Sequence, residues 1–198
     1  MPPRTGAFNR WIQQLAEKRA HQIANPLLPW LERGSGPILD FGSGLGHVGS
    51  LAAQHTGRPV TYLDIKDYPY TAPGVKITVF DGKTIPFPEE SFETSLGVLV
   101  FHHTPNPPAA LAEVARVTKT SLVVCEDAIA GRRDFYVEAF KDTVTNCFLP
   151  HVVYQYRTEA EWEALFAASG LAVQDKTHFT SHYIFDFQHV AWYLSVEK

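Results

Sequence analysis

Glycines cluster behind an aspartate in the stretch LDFGSGLGHVG. Gly44, Gly46 and Gly49 satisfy G-x-G-x-x-G, the pattern of dinucleotide-binding loops. The same loop also satisfies D-x-G-x-G-x-G, with Asp40 at its start and Gly42 as its first glycine. Both patterns describe a bare backbone that follows a strand and approaches a ligand closely. The charge beside the loop separates them, because the two patterns suit ligands of opposite charge.

A dinucleotide would place its pyrophosphate on this loop and on the N-terminus of the following helix, which favours an anion. The carboxylate of Asp40 would repel that anion in a partly buried cleft. In addition, the dinucleotide pattern starts late, since FGS separates the apolar strand from its first glycine. S-adenosylmethionine carries a sulfonium and an ammonium, which a carboxylate attracts. The loop therefore favours S-adenosylmethionine, and a nicotinamide-dependent oxidoreductase is the first alternative.

The elements that must position this loop alternate along the chain. Apolar runs predict strands over 37–41, 59–64, 74–81, 91–101, 121–127, 171–179 and 189–197. Apolar periodicity, prolines and caps predict helices over 8–24, 46–55, 107–119, 134–146 and 158–169. This order predicts an α/β fold: a doubly wound, mostly parallel, seven-stranded sheet with helices on both faces and an antiparallel C-terminal edge hairpin. Ligands of such sheets bind beyond the carboxyl ends of the strands, where the loop lies.

Length and composition fit a single domain, because the chain has 198 residues and 45% hydrophobic residues. We expect an N-terminal helical cap over 1–34, a cofactor-binding core over 35–127 and an acceptor side over 128–198. A net charge of −4 argues against nucleic acid as a partner. No apolar run is long enough to predict a membrane span. Cys125 and Cys147 have no metal-type spacing, and we interpret both as reduced thiols of a cytoplasmic protein. The oligomeric state is not predicted.

The sequence resembles the class I S-adenosylmethionine-dependent methyltransferases. The resemblance rests on ILDFGSGLGHVG, on YLDI and on the block FDGKTIPFPEESFETSLGVLVFHHTPNPPAALAEVARVTK. That block is similar to the family's run of an acid, lPF, sFD, an apolar strand, a histidine, a proline turn and a helix that ends in RV. The closest group is the small-molecule set that resembles ubiquinone/menaquinone methyltransferases. Two departures are Glu93 in place of the aspartate of sFD, and VTKTS in place of LKPGG.

The resemblance implies methyl transfer to a small-molecule acceptor by in-line displacement, and it implies a set of cofactor contacts. For the methionine part of the cofactor these are Asp40, Gly42, Ser43, Gly44 and Gly46. Asp64 would bind the ribose, and Ile65 would cover one face of the adenine. Asp81 would accept from the adenine amino group, Gly82 would approach by its backbone, and Gly97 would lie near the sulfonium.

A general base is needed only if the acceptor is protonated, as a hydroxyl or phenol is. The family's histidine aligns with His103, which is the first candidate, and His102 is a weaker one. Glu126 and Asp127 end the fifth predicted strand, and we expect both to face the same cleft, where they could attract a cationic acceptor. No ligand spacing is diagnostic of a metal site, and no metal is predicted.

Two aromatic stretches, 67–71 and 178–193, are candidates for the wall of the acceptor pocket. Within the second stretch, Phe187, Trp192 and Tyr193 are expected to pack in the core. The expected pocket members are His178, His182 and Tyr183. The N-terminal helix either covers the cofactor as a lid or packs on the flank of the sheet. A second alternative function is a non-catalytic module that keeps this fold, with or without the cofactor, and binds a partner.

Overall fold

The computed structural model describes residues 7–68, 71–127, 129–145, 154–182 and 184–197. In chain order the elements are α1 (Ala7–Ala24), α2 (Leu28–Leu31), β1 (Ile38–Phe41), α3 (His47–Thr56), β2 (Val60–Asp64), β3 (Ile77–Val79), β4 (Phe92–Val98), a 3₁₀ turn (Phe101–His103), α4 (Pro107–Val117), β5 (Thr118–Asp127), α5 (Arg132–Thr145), α6 (Glu159–Ala168), β6 (Leu171–His182) and β7 (Asp186–Val196).

The strands form one seven-stranded sheet in the order β3-β2-β1-β4-β5-β7-β6. Strands β1 to β5 are parallel, and β7 is antiparallel to both β5 and β6. The predicted fold class is therefore confirmed, including the C-terminal hairpin at one edge. The strand order reverses between β1 and β4. The glycine loop leaves β1 at this switch point, where open α/β sheets bind their ligands.

Both faces of the sheet are buried, which explains the nearly continuous apolar runs in the strands. On one face, Ile38 and Val123 pack with Leu31 and with other residues of the first three helices. On the other face, Leu39 packs with Trp162 and with other residues of α4 and α6. Side chains alternate across a strand, so consecutive strand residues enter different cores. The same alternation places Glu126 and Asp127, which are consecutive in β5, on opposite faces of the sheet.

Three local differences from the sequence-based elements have clear causes. Helix α2 was not predicted because its proline suggests an interruption, yet that proline lies in the first turn, where helices tolerate it. Strand β3 is short because a turn closed by Val75 N and Ala72 O precedes it. Strand β4 stops before Leu99, whose φ of 53° leaves the extended region. Helix α6 begins after Thr158, which forms a full capping box with Glu161.

The hairpin expectations are confirmed for its core and differ for its polar residues. Phe187 and Trp192 are fully buried, and Tyr193 packs against Trp30 with 6.2 Å between ring centroids. His178 and His182 are exposed, and each pairs with a surface carboxylate. Tyr183 and Cys147 lie outside the described residues. Cys125 is a buried free thiol.

The described part of α1 packs against α3 and β6, on the flank of the sheet. The side-chain oxygen Oε1 of Gln22 accepts a hydrogen bond from the His182 amide at 2.6 Å, which ties the helix to the hairpin. Within the described residues, no helix is long and apolar enough to cross a membrane.

Candidate active site

The backbone amides of the glycine loop donate hydrogen bonds to acceptors within the protein. The amides of Gly42 and Ser43 donate to Leu63 O at 2.8 and 3.1 Å. The Gly44 amide donates to Asp64 Oδ2 at 2.8 Å, and the Gly46 amide donates to Ser43 O at 2.7 Å. A pyrophosphate needs such amides as donors. Because these four are already engaged, the loop is a poor cradle for a dinucleotide.

Neighbouring side chains exclude any residue larger than glycine at two positions of the loop. At a third glycine, the position that a Cβ would occupy is open. Gly42 has a φ of 67°, and a Cβ there would overlap the side chain of Val100. A Cβ at Gly46 would come within 2.6 Å of Val75. Gly44, in contrast, has no atom within 4 Å of the Cβ position. Its backbone is therefore the part of the loop that a ligand can approach.

Asp40 lies beneath the first turn of α3 and is only 3% exposed. A Cβ on Gly49 would overlap its carboxylate, so this glycine serves the packing of Asp40 rather than a phosphate. Burial, and then the charge of Asp64, raise the pKa of Asp40 to about 7, while the Gly49 amide lowers it. Asp40 therefore does not line an open cleft. With a pKa of about 7 it is mostly protonated below neutral pH in the ligand-free protein, and a cation bound at the loop would favour its ionised form.

The predicted ribose and adenine residues lie together at the end of β2. Burial raises the pKa of Asp64, although hydrogen bonds from amides, including that of Gly44, oppose the shift. Ile65 is 65% exposed, an unusual exposure for a large apolar side chain. Its Cγ2 atom lies 3.1 Å from the Cβ position of Gly82. An exposed apolar face next to bare backbone is a suitable surface for a flat base.

Asp81 and Gly97 each have a structural role of their own. Oδ1 of Asp81 accepts from the amides of Lys83 and Thr84 at 2.8 and 2.9 Å, which lowers the pKa of this exposed acid. A Cβ on Gly97 would lie 2.6 Å from the ring of Phe101. Packing of that ring therefore requires a glycine at the end of β4.

Both candidate bases lie in the 3₁₀ turn, with 3.9 Å between their ring centroids. His102 is buried and hydrogen-bonds through Nδ1 to Glu126, whereas His103 is half-buried. The expectation that Glu126 and Asp127 face one cleft is wrong. Both are buried, and alternation along β5 points them to opposite faces, so that Asp127 pairs with His189 at 2.6 Å.

An aromatic group next to these histidines was missed by the sequence analysis. Tyr156 stacks on His102 at 4.8 Å, and Tyr154 lies parallel to Tyr156 at 5.8 Å. Phe135 of α5 meets Tyr156 edge-on at 5.8 Å. We call Phe135, Tyr154 and Tyr156 the aromatic wall. Nothing in YQY or in its spacing from HHTP predicts that these segments meet.

Comparison with protein families gives the decisive observation. Residues 39–124 match the family model of a methyltransferase domain. Residues 39–124 therefore form a methyltransferase domain. The match includes every predicted cofactor contact and both histidines, whereas Glu126 and the aromatic wall lie outside it. None of the curated proteins matches this sequence significantly.

Solved structures show the same fold as this methyltransferase at low sequence identity. Geranyl diphosphate methyltransferase in complex with S-adenosylmethionine is 16% identical, with a TM-score of 0.72, 99% of this chain covered and 92% of that one. The 1,6-didemethyltoxoflavin-N1-methyltransferase of Burkholderia thailandensis, with S-adenosylhomocysteine bound, is also 16% identical, with a TM-score of 0.71 and coverage of 92% and 80%. The [4+2]-cyclase SpnF is 14% identical, with a TM-score of 0.64 and coverage of 87% and 81%.

The methyltransferase domain confirms the predicted enzyme class and S-adenosylmethionine as its cofactor. The nicotinamide alternative is disfavoured by the family match and by the engaged loop amides. The ubiquinone/menaquinone subgroup and the three-part division of the chain stay predictions.

Proposed function

We propose that this methyltransferase acts in the cytoplasm on a small-molecule acceptor that presents a flat or apolar ring. The observation that carries methyl transfer from S-adenosylmethionine is the loop after β1. Its amides are held by Leu63 and Asp64, and a carboxylate is buried behind it. Because these amides are engaged, a phosphate pair lacks donors there. A bound cation, unlike a phosphate pair, would also favour the ionised form of Asp40.

The residues around the loop fit the cofactor. Asp64 offers a carboxylate for the ribose hydroxyls, and Ile65 with Gly82 offers a surface for the adenine. The Ser43 hydroxyl is buried and has no hydrogen-bond partner among the described residues, so it could serve the methionine part. When bound, the cofactor supplies a methyl carbon already activated by its sulfonium. The protein's task is then to align the acceptor and to exclude water.

The acceptor would lie against the aromatic wall and His103. Aromatic faces bind flat or apolar molecules through offset stacking and buried area. The ring of His103 lies 5.7 Å from that of Tyr154, so both can contact one ligand. His103 would take a proton from the acceptor only where the acceptor is a hydroxyl or phenol. Two of the similar structures are named for methylating small molecules, toxoflavin precursor and geranyl diphosphate, which supports this acceptor class.

The first test is ligand binding by calorimetry with purified protein. S-adenosylhomocysteine should bind with a micromolar dissociation constant, and NADH should give no measurable heat. A labelled methyl group of S-adenosylmethionine is then followed into a panel of phenols, flat heterocycles and aliphatic amines. Transfer to a flat ring compound supports the proposal. Tight NADH binding without S-adenosylhomocysteine binding would refute it.

The second candidate function is one without methyl transfer. The fold likeness to a protein named as a cyclase makes this alternative specific. It predicts that S-adenosylhomocysteine binds while no label moves to any acceptor, even when a panel compound binds to the protein.

A further inference from the structure

We infer that Glu126 is a positioning residue for methyl transfer, because one buried carboxylate fixes both the turn beside the cofactor loop and the proton of a histidine in that turn. The inference rests on the proposed function, since it assigns the turn to the acceptor side of the same site. It concerns a residue outside the matched methyltransferase domain.

Glu126 binds three consecutive residues of the turn after β4. Its Oε1 accepts from the amides of Val100 and Phe101 at 3.1 and 2.7 Å. Its Oε2 pairs with Nδ1 of His102. The side chain is fully buried, so these three partners take the place of water around the charge. Hydrogen bonds to an ionised group are the stronger kind, and the turn is therefore held by Glu126.

Two of the residues that Glu126 holds contact the cofactor side of the site. The Val100 side chain fills the space that a Cβ on Gly42 would need. The Phe101 ring fills the corresponding space at Gly97 and stacks on Phe41 at 5.5 Å. A displacement of the turn would therefore move the side chains against which Gly42 and Gly97 pack.

The backbone of this turn is also strained. Leu99 has a φ of 53°, a backbone conformation that is unfavourable for a residue with a side chain. Its amide donates to Cys125 O at 2.8 Å, next to Glu126 on β5. Such a conformation persists only where the surroundings determine it. The hydrogen bonds from β5 to residues 99–102 supply that determination.

Glu126 also sets the proton of His102. A carboxylate only accepts hydrogen bonds, so Nδ1 of His102 must be the donor in this pair. In the neutral ring the lone pair is then on Nε2, as in histidines oriented by a buried acid. The His103 ring packs directly against this ring, so its surroundings depend on the pair as well.

Asp127 offers a matched control on the same strand. It is equally buried and pairs with His189, but it faces the other side of the sheet. Within the described part of the chain, its ion-pair partner His189 lies on β7 and not in the turn after β4. Removing its charge therefore tests the cost of losing a buried carboxylate from β5 without changing the turn.

The experiment compares wild type, Glu126→Ala, Glu126→Gln and Asp127→Asn in S-adenosylhomocysteine binding and in histidine ¹⁵N spectra. Glu126→Ala should weaken binding about tenfold or more, since the side chains of the turn that pack against the glycine loop would be displaced. In Glu126→Gln, the amide oxygen can keep both backbone hydrogen bonds, and binding should stay within about threefold. Its amide NH₂ must donate to Nδ1, so the spectrum should show that the His102 proton has moved to Nε2. Asp127→Asn should bind within about twofold.

Three other outcomes would each contradict one part of the inference. Wild-type binding by Glu126→Ala shows that the turn needs no positioning by Glu126. An unchanged His102 spectrum in Glu126→Gln, which is isosteric and keeps the fold testable, overturns the proton assignment. If Asp127→Asn loses as much S-adenosylhomocysteine affinity as Glu126→Ala, the loss reflects general destabilisation, and the positioning role is overturned. If wild type itself does not bind S-adenosylhomocysteine, the proposed function has failed, and that result is separate from the three comparisons.

Discussion

The proposed cofactor half and the proposed acceptor half of this enzyme are built by different means. In the cofactor half, the loop after β1 and the ends of β2 and β3, the surface is mainly backbone: bare glycines and amides held by Leu63 O and Asp64. In the acceptor half, the turn after β4 and the aromatic wall, the surface is side chains from distant segments. Glu126 reaches the turn, and Gln155 Nε2 donates to Thr104 O at 3.0 Å.

The difference explains what each half can tolerate. A backbone surface exists only where added atoms are excluded, so a single methyl group can destroy it. The aromatic wall, in contrast, can be changed one side chain at a time without altering the chain path. Cofactor binding should therefore respond strongly to small changes near the loop and weakly to changes in the aromatic wall.

The largest expected change in stability is at Asp40. Its pKa is about 7 in the folded protein and 3.8 ordinarily, so the folded state holds this proton more tightly than the unfolded chain does. The resulting stability is complete below about pH 4 and is lost as the pH rises through 7, on the order of 4 kcal/mol in all. Asp40→Asn cannot ionise and should remove most of that loss in urea unfolding between pH 4 and 8.

The control for this prediction is Asp81→Asn. The pKa of Asp81 is lowered, so its contribution to stability has the opposite pH dependence. This variant should keep the loss between pH 4 and 7. A wild-type stability that does not fall over this range would show that the carboxylate behind the loop is not protonated there, and would weaken the contrast between the halves.

The next largest effect is expected for Gly42→Ala. Its φ of 67° and its overlap with Val100 should together cost about 3 kcal/mol and weaken S-adenosylhomocysteine binding. Gly57→Ala is the matched control, because Gly57 has the same φ of 67° and no atom within 4 Å of the Cβ position. It should cost only about 1 kcal/mol.

Adding Val100→Ala to Gly42→Ala should recover about 1 kcal/mol of stability relative to the sum of the two single changes. Strict additivity of the two changes would contradict the proposed overlap.

The same contrast explains what the sequence could predict. The loop, Asp64 and the alternating elements are local in sequence, so spacing and period suffice to predict them. The position of Asp40 behind Gly49 depends on how α3 packs on β1, and spacing does not report it. The aromatic wall, and the pairing of Glu126 with His102, join segments that meet only in the folded sheet. The opposite faces of Glu126 and Asp127 follow from alternation along β5, which the sequence itself predicts.

A smaller effect is expected for Asp64→Asn. Asp64 holds the Gly44 amide and is proposed to bind the ribose, so losing its charge should weaken S-adenosylhomocysteine binding about tenfold. Asp67→Asn removes the charge of an exposed neighbour and should leave the affinity within about twofold. Calorimetry at constant pH measures both. Equal affinities for the two variants would mean that the ribose lies elsewhere.

The smallest effect on cofactor binding is expected for His103→Gln. Its ring packs against His102 and Tyr154, which belong to the proposed acceptor side. S-adenosylhomocysteine affinity should therefore change less than about twofold, within the scatter of surface substitutions. Transfer of labelled methyl to a phenol should fall about 100-fold if His103 takes the proton, and transfer to an unprotonated amine should not. A large loss of cofactor affinity would break the separation of the halves, whereas unchanged transfer to phenols would leave His103 as part of the wall alone.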